Sequence, residues 1–288
     1  QESRAVIAPE TRIVSVTQPR SAALPIVVDS PHSGTRYPED FGSVLQGLAL
    51  RQGEDTWVHE LYASAPDHGA TLIAAEFPRA YIDPNRSLHD IDERLLNQPW
   101  PGVVIPSRKT ELGVGLVWRL MAGQPLYERS LSVDEVQRRI DTCWRPYHAA
   151  LQAALDTAAQ APQRWHLNVH SMPDNSRSRL GLPDAPLADV VLGDLDGTTA
   201  DEATVALIED SLRRSGYSVA RNDPFKGVEI IRASGQPARG WHALQIEVRR
   251  PLYMDDQLQK HAGFDRLQRA LDEMLQALSQ HVRQRLTA

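Results

Sequence analysis

Ile26-Val27-Val28-Asp29-Ser30-Pro31-His32-Ser33-Gly34 is an apolar, β-branched run that stops in a turn, and the turn carries a histidine. A short run of this kind, bounded by Ser-Pro and Ser-Gly, reads as a buried strand. Strand ends in α/β proteins face the ligand crevice. His32 therefore stands where chemistry is expected, and Ser33-Gly34 supplies a tight bend that lets a substrate approach it. Working outward, residues 13–16 form a short apolar stretch in an otherwise irregular start. Residues 70–77 read as a second buried strand, 165–169 as a third that again ends on a histidine, His170, and 190–194 as a fourth. Residues 217–220, 228–232 and 241–248 have strand character too.

Helical patterns fall between these strands. Residues 53–68 place Trp57, Val58, Leu61 and Tyr62 on one side, with Gly69 as the stop. Residues 132–160 open on a Ser132/Glu135 capping box, and Pro146 should kink the helix. Residues 199–215 end at Gly216, and 256–285 form a long amphipathic segment. Residues 87–127 are rich in Pro, Gly and polar side chains without periodicity, a length at which a connection is commonly functional. The alternation predicts an α/β fold with a mostly parallel sheet, and with no repeat or linker the whole of 1–288 is expected to be one domain.

The 288 residues are long enough to bury a large core, and 41% hydrophobic with 24% charged residues is ordinary for a globular protein. A net charge of −6 argues against a nucleic-acid partner, and no apolar stretch is long enough to span a bilayer. Arginine outnumbers lysine, which suits planar recognition of carboxylates where those arginines face a pocket. The one cysteine, Cys143, excludes an intrachain disulfide and is compatible with a cytoplasmic protein. The chain opens on Gln1, which leaves a trimmed start and a removed leader equally open.

Neutral imidazoles at two strand ends, His32 and His170, each followed by serine, could share a Zn²⁺. A catalytic zinc takes three protein ligands and keeps one position for water. Glu54 and Asp55 both stand close enough to the first histidine loop to complete the set. Arg79, Asn85 and Arg86 follow the second strand, where an arginine fork can bind a carboxylate and hold a developing oxyanion. Asp83, between them, reads as a partner in a structural ion pair. Glu247 sits inside an apolar strand, which is costly for a carboxylate unless it is paired, with Arg249 or Arg250, or faces a positive pocket. Beside a metal-bound water it is a competent general base.

Five segments occur in the order found in the N-formylglutamate amidohydrolase family: Ser30-Pro-His-Ser-Gly34, Arg79-Ala-Tyr-Ile-Asp-Pro-Asn-Arg86, Val169-His-Ser-Met172, Asn222-Asp-Pro-Phe-Lys-Gly227 and Gln245-Ile-Glu-Val-Arg-Arg-Pro-Leu-Tyr-Met254. The chain resembles that family over roughly residues 26–256. The resemblance implies a three-layer α/β/α domain, like that of the zinc carboxypeptidases and aspartoacylases, with a mixed, mostly parallel sheet and one Zn²⁺. It implies His32, Asp55 and His170 as metal ligands, Arg79 polarising the scissile carbonyl, Asn85 and Arg86 gripping a substrate carboxylate, and Glu247 as general base. The implied reaction is hydrolysis of N-formyl-L-glutamate to formate and L-glutamate in histidine degradation, with a small acidic N-acyl amino acid as the partner. Two departures stand out. Gly227 is followed by Val228 and Glu229, a charge near a segment expected to shape the pocket, and residues 113–119 are longer than in the dedicated deformylase. A broader N-acyl amino-acid deacylase or carboxypeptidase-like hydrolase is the alternative, and a non-catalytic binder of acidic metabolites is the reading from another class.

Overall fold

The computed structural model describes residues 12–288, so the irregular start expected before them lies outside the described residues. The strands are β1 (Val14–Thr17), β2 (Ile26–Ser30), β3 (Thr71–Ala75), β4 (Leu120–Met121), β5 (Gln124–Pro125), β6 (Arg164–Met172), β7 (Val190–Gly193), β8 (Val219–Arg221) and β9 (Trp241–Arg249). The helices are α1 (Gly47–Arg51), α2 (Val58–Leu61), α3 (Arg108–Glu111), α4 (Val133–Arg139), α5 (Arg145–Ala158), α6 (Ser176–Arg179), α7 (Glu202–Arg214), α8 (Glu229–Ser234) and α9 (Gly263–Thr287). Seven strands form one sheet in the order β1-β3-β2-β6-β9-β7-β8, and β4 and β5 form a separate hairpin. Four neighbouring pairs are parallel, whereas β1 with β3 and β7 with β9 are antiparallel. The sheet is thus mixed and mostly parallel, as the alternation of strands and helices predicts.

Strand periodicity builds the layers and places the site. Alternate residues of a strand face opposite sides. Ile26, Val28, Trp165, Leu167, Val169, Leu244, Ile246 and Val248 face a core completed by α7 and α9. Val27, Ile73 and Ala75 face a second core with α4 and α5. On that second face β6 presents His166, Asn168 and His170. Parallel register sets Asp29 beside Asn168, Asn168 beside Gln245, and His170 beside Glu247. A line of buried polar side chains therefore crosses three adjacent strands.

Several elements differ from expectation. The strand expected over 228–232 is replaced from Glu229 on by α8, in which Ile230 and Ile231 are both buried and the Ile230 N–H is taken by Asn85 Oδ1 at 3.1 Å. Residues 53–68 do not make one helix. Trp57 takes a left-handed backbone, φ 69°, and Pro66 opens a 3-10 turn that ends at Gly69. The capping box of Ser132 and Glu135 is present, and the helix runs on through Pro146. A π-helical turn at Ile140–Trp144 lies just before Pro146, which lacks the N–H of a regular ladder. The C-terminal helix starts at Gly263, seven residues late, since Asp255 captures the Gln257 and Gln259 N–H groups in a turn. Among the described residues no helix is long and apolar enough to cross a membrane.

Candidate metal centre and active site

His32 follows the C-terminal end of β2, His170 lies near the end of β6, and Asp55 follows Glu54 in the loop before α2. A hydrogen bond from the Asp55 N–H to the His32 carbonyl, 2.9 Å, ties the two loops together. All three side chains are buried. His32 Nε2 donates to Asp83 Oδ1 at 2.6 Å and His170 Nε2 donates to Asn168 Oδ1 at 2.5 Å. With their protons placed there, both Nδ1 atoms present lone pairs. These lone pairs face each other at 3.1 Å, and Asp55 Oδ2 lies 3.1 Å from His170 Nδ1 and 3.5 Å from His32 Nδ1.

Three acceptors turned on one another, with no proton between them, repel unless a cation joins them. A tetrahedral ion with bonds of about 2.0–2.1 Å separates its ligand atoms by roughly 3.3 Å. The observed triangle fits such an ion, so His32, Asp55 and His170 could hold a metal. Burial pushes His170 down, which favours the neutral imidazole a metal takes. Burial alone would raise Asp55, but its contacts with His170 and His32 hold it well below the usual carboxylate range. Glu54, the other acidic candidate, is turned away. Arg51 grips it at 2.8 and 2.9 Å, Tyr37 donates to it at 2.5 Å, and Thr56 at 3.0 Å.

Each candidate ligand is oriented by a polar partner, as metal-ligating side chains are. Asp83 is the centre of one such set. Its Oδ1 accepts from His32 and from the Asn85 N–H, and its Oδ2 from Arg79 Nε and Nη2 and from Trp118 Nε1. Asn168 is fixed in turn by Asp29, which accepts from Asn168 Nδ2 at 3.0 Å, His166 Nε2 at 2.6 Å and the Tyr147 hydroxyl at 2.5 Å. Asp55 Oδ1 accepts from Arg250 Nη2 at 3.1 Å and Ser171 Oγ at 3.2 Å. Gly34 serves the frame rather than the substrate, since a Cβ there would lie 2.2 Å from the Phe77 carbonyl oxygen.

Glu247 is buried beside this cluster and has no ion-pair partner among the described residues. Arg249 is engaged by Asp174 and Asp189, and Arg250 by Asp55, so neither neutralises it. Its Oε1 accepts from Gln245 Nε2 at 3.3 Å, and its Oε2 has no hydrogen-bond partner among the described residues. Burial, and then the nearby Asp55 carboxylate, push Glu247 well above the usual carboxylate range. Arg79 stacks over Trp118, 4.7 Å from the ring centre, while Asp83 holds one edge of its guanidinium. Asn85 spends its carbonyl on α8, as described, and Arg86 donates to the Val114 and Asn85 carbonyls. Glu229 pairs with Arg232 on its own helix, 3.4 Å, and is partly exposed.

The structure gives Asp83 a larger part than the ion pair the sequence suggests. Cations four residues before it and three after it were the available signal; its bond to His32, 51 positions away, was not visible. Asn168, Arg250 and Trp118 join the site by folding alone. Replacing Asp83 with Asn should lower metal affinity or kcat/KM about 10- to 100-fold, because the His32 proton and the Arg79 fork lose their carboxylate. Metal titration and steady-state kinetics on the variant would show it, and wild-type values would deny Asp83 this part.

Fold and centre define a class: a hydrolase built around a buried His–Asp–His cluster that could hold a metal. Within it, the chain belongs to the N-formylglutamate amidohydrolase family, whose model matches residues 24–254. It is 31% identical over 241 residues to an N-formylglutamate deformylase of Pseudomonas putida, covering 81% of this chain and 83% of the relative. The deformylase of Pseudomonas aeruginosa is also 31% identical over 241 residues, covering 81% and 84%. The crystal structure of an N-formylglutamate amidohydrolase from Ralstonia eutropha JMP134 superposes with a TM-score of 0.92 at 51% identity, covering 94% of this chain and 99% of that one. A gene product of Agrobacterium tumefaciens shares the fold, with a TM-score of 0.65 at 17% identity over 94% and 95% of the two chains.

Proposed function

We propose that the chain, acting as one domain in the cytoplasm, hydrolyses N-formyl-L-glutamate to formate and L-glutamate as a step of histidine degradation. The observation that carries this reading is the convergence of two imidazole lone pairs and one carboxylate oxygen beside the unpartnered Glu247. Family membership supports the substrate.

Zn²⁺ suits the donor set of His32, Asp55 and His170, and when bound it lowers the pKa of water to about 7 and acts as a Lewis acid. Glu247 accepts the proton of the attacking water and hands it to the departing amine nitrogen. Its buried, uncompensated position raises its basicity toward the range that task needs. Arg79 donates to the oxygen that gains charge as the amide carbonyl is attacked; its Nη1 is free of partners among the described residues. Arg86 and the uncommitted amide of Asn85 bind the α-carboxylate.

Purified protein supplied with zinc should release formate from N-formylglutamate faster than it releases acetate from N-acetylglutamate or cleaves dipeptides. A chelator should abolish the activity and zinc restore it. The reverse ranking of substrates would establish the broader deacylase or carboxypeptidase-like activity, and absence of any hydrolysis the non-catalytic binder.

A further inference from the structure

Lys109 lies in the aperiodic segment 87–127 and is left without a role by the reaction just described. It sits on α3, whose first turn is capped by Ser107, and Ser107 itself donates to Asp90 Oδ2 at 2.7 Å. Thr110 also bonds to Asp90, and its carbonyl accepts from Arg94 at 2.9 Å. This short helix is therefore held on both sides. A chain of two hydrogen bonds joins it to Arg86: the Val114 N–H donates to the Lys109 carbonyl at 2.8 Å, and the Val114 carbonyl accepts from Arg86 Nε at 3.0 Å.

Lys109 is half-buried, yet no carboxylate lies within ion-pair distance of its ammonium among the described residues. The ring centre of Phe225 lies 5.9 Å from the ammonium. The charges acting on it are those of the candidate site: Arg86 and Arg79, opposed by Glu247 and Asp83. Burial and the two guanidinium groups push it down to about 8. A cation held on a braced helix, partly desolvated and unpaired, is costly unless an anion arrives to meet it. Arg79, Arg86 and Lys109 set three positive charges against the carboxylates of Asp83 and Glu247, so an arriving anion meets a surplus of positive charge.

Resting on the proposed hydrolysis, we infer that Lys109 is the residue that selects an acidic side chain, its ammonium receiving the second carboxylate of the substrate while Arg86 holds the first. Phe225, whose ring centre lies 5.9 Å from the ammonium, borders that subsite.

The test compares N-formylglutamate with N-formylglutamine, whose neutral amide has the same shape, on zinc-loaded wild type, Lys109→Gln and Arg108→Gln. Arg108 is an exposed neighbour on the same helix, paired with Glu111, and controls for surface charge. Lys109→Gln should lower kcat/KM for N-formylglutamate about 10- to 100-fold, the range of one charged hydrogen bond, and leave N-formylglutamine within about 3-fold. Arg108→Gln should change neither. Equal losses on both substrates, or no loss on either, overturn the assignment. Calorimetric binding of L-glutamate against L-glutamine reads the same preference without turnover. Loss of the glutamate preference in Lys109→Gln supports the assignment even if the wild type hydrolyses nothing, an outcome that would sink the reaction instead. Hydrolysis with an unchanged preference sinks the role of Lys109 alone.

Discussion

Glu247→Gln should lower kcat about 10²- to 10⁴-fold, the usual contribution of a general base, while metal content and KM stay near wild type. The substitution is nearly isosteric, and Gln245 Nε2 can donate to the amide oxygen as it does to Oε1 at 3.3 Å. Glu247 is outside the His32–Asp55–His170 triangle, so metal uptake has no reason to change. Stability should hold as well. The carboxyl is pushed well above its usual range by burial and Asp55, so a neutral amide replaces a group the fold already disfavours as an anion. Formate release, metal analysis and thermal unfolding on one preparation separate these effects. Activity within about 3-fold of wild type would assign the base elsewhere.

The sheet was legible because its strands carry period-two or continuous apolar runs with turn residues at both ends. Where an apolar run was one turn long the sequence could not arbitrate: Val228, Ile230 and Ile231 fit a strand or a helix, and α8 forms because Asn85 caps its first turn from 145 positions away. The histidines were legible because each ends or nearly ends a strand and precedes a serine. The family resemblance alone favours Asp55 over Glu54; the fold supplies the physical reason, since Tyr37 and Arg51 hold the Glu54 carboxylate. The supporting polar groups were hidden for one physical reason. Asp83 to His32, Asn168 to Asp29 and Arg250 to Asp55 are bonds across 51, 139 and 195 positions, fixed by sheet register and loop closure rather than by local pattern. Lys109 lay in a segment whose lack of periodicity carried no signal beyond its length.

His170→Ala should abolish both activity and zinc-dependent stabilisation, and the second loss distinguishes a metal centre from a buried hydrogen-bond network. A ligand that binds only the folded state stabilises it by about 4 kcal/mol at a thousand times its Kd. For a chain of this size, roughly 2–4 °C of melting temperature per kcal/mol makes that about 8–16 °C. Wild type should show such a rise when zinc is added to metal-free protein. The variant keeps only His32 Nδ1 and Asp55 Oδ2, one edge of the triangle, and should show almost none. The metal-free forms should differ much less. Truncation leaves Asn168 Oδ1 without the Nε2 donor, a cost of about 1–3 kcal/mol for a buried acceptor. If the cluster were instead a structural network, the order would invert: zinc would leave wild type unmoved, and the variant would lose its stability in metal-free buffer. Differential scanning calorimetry with and without zinc on both proteins decides between them.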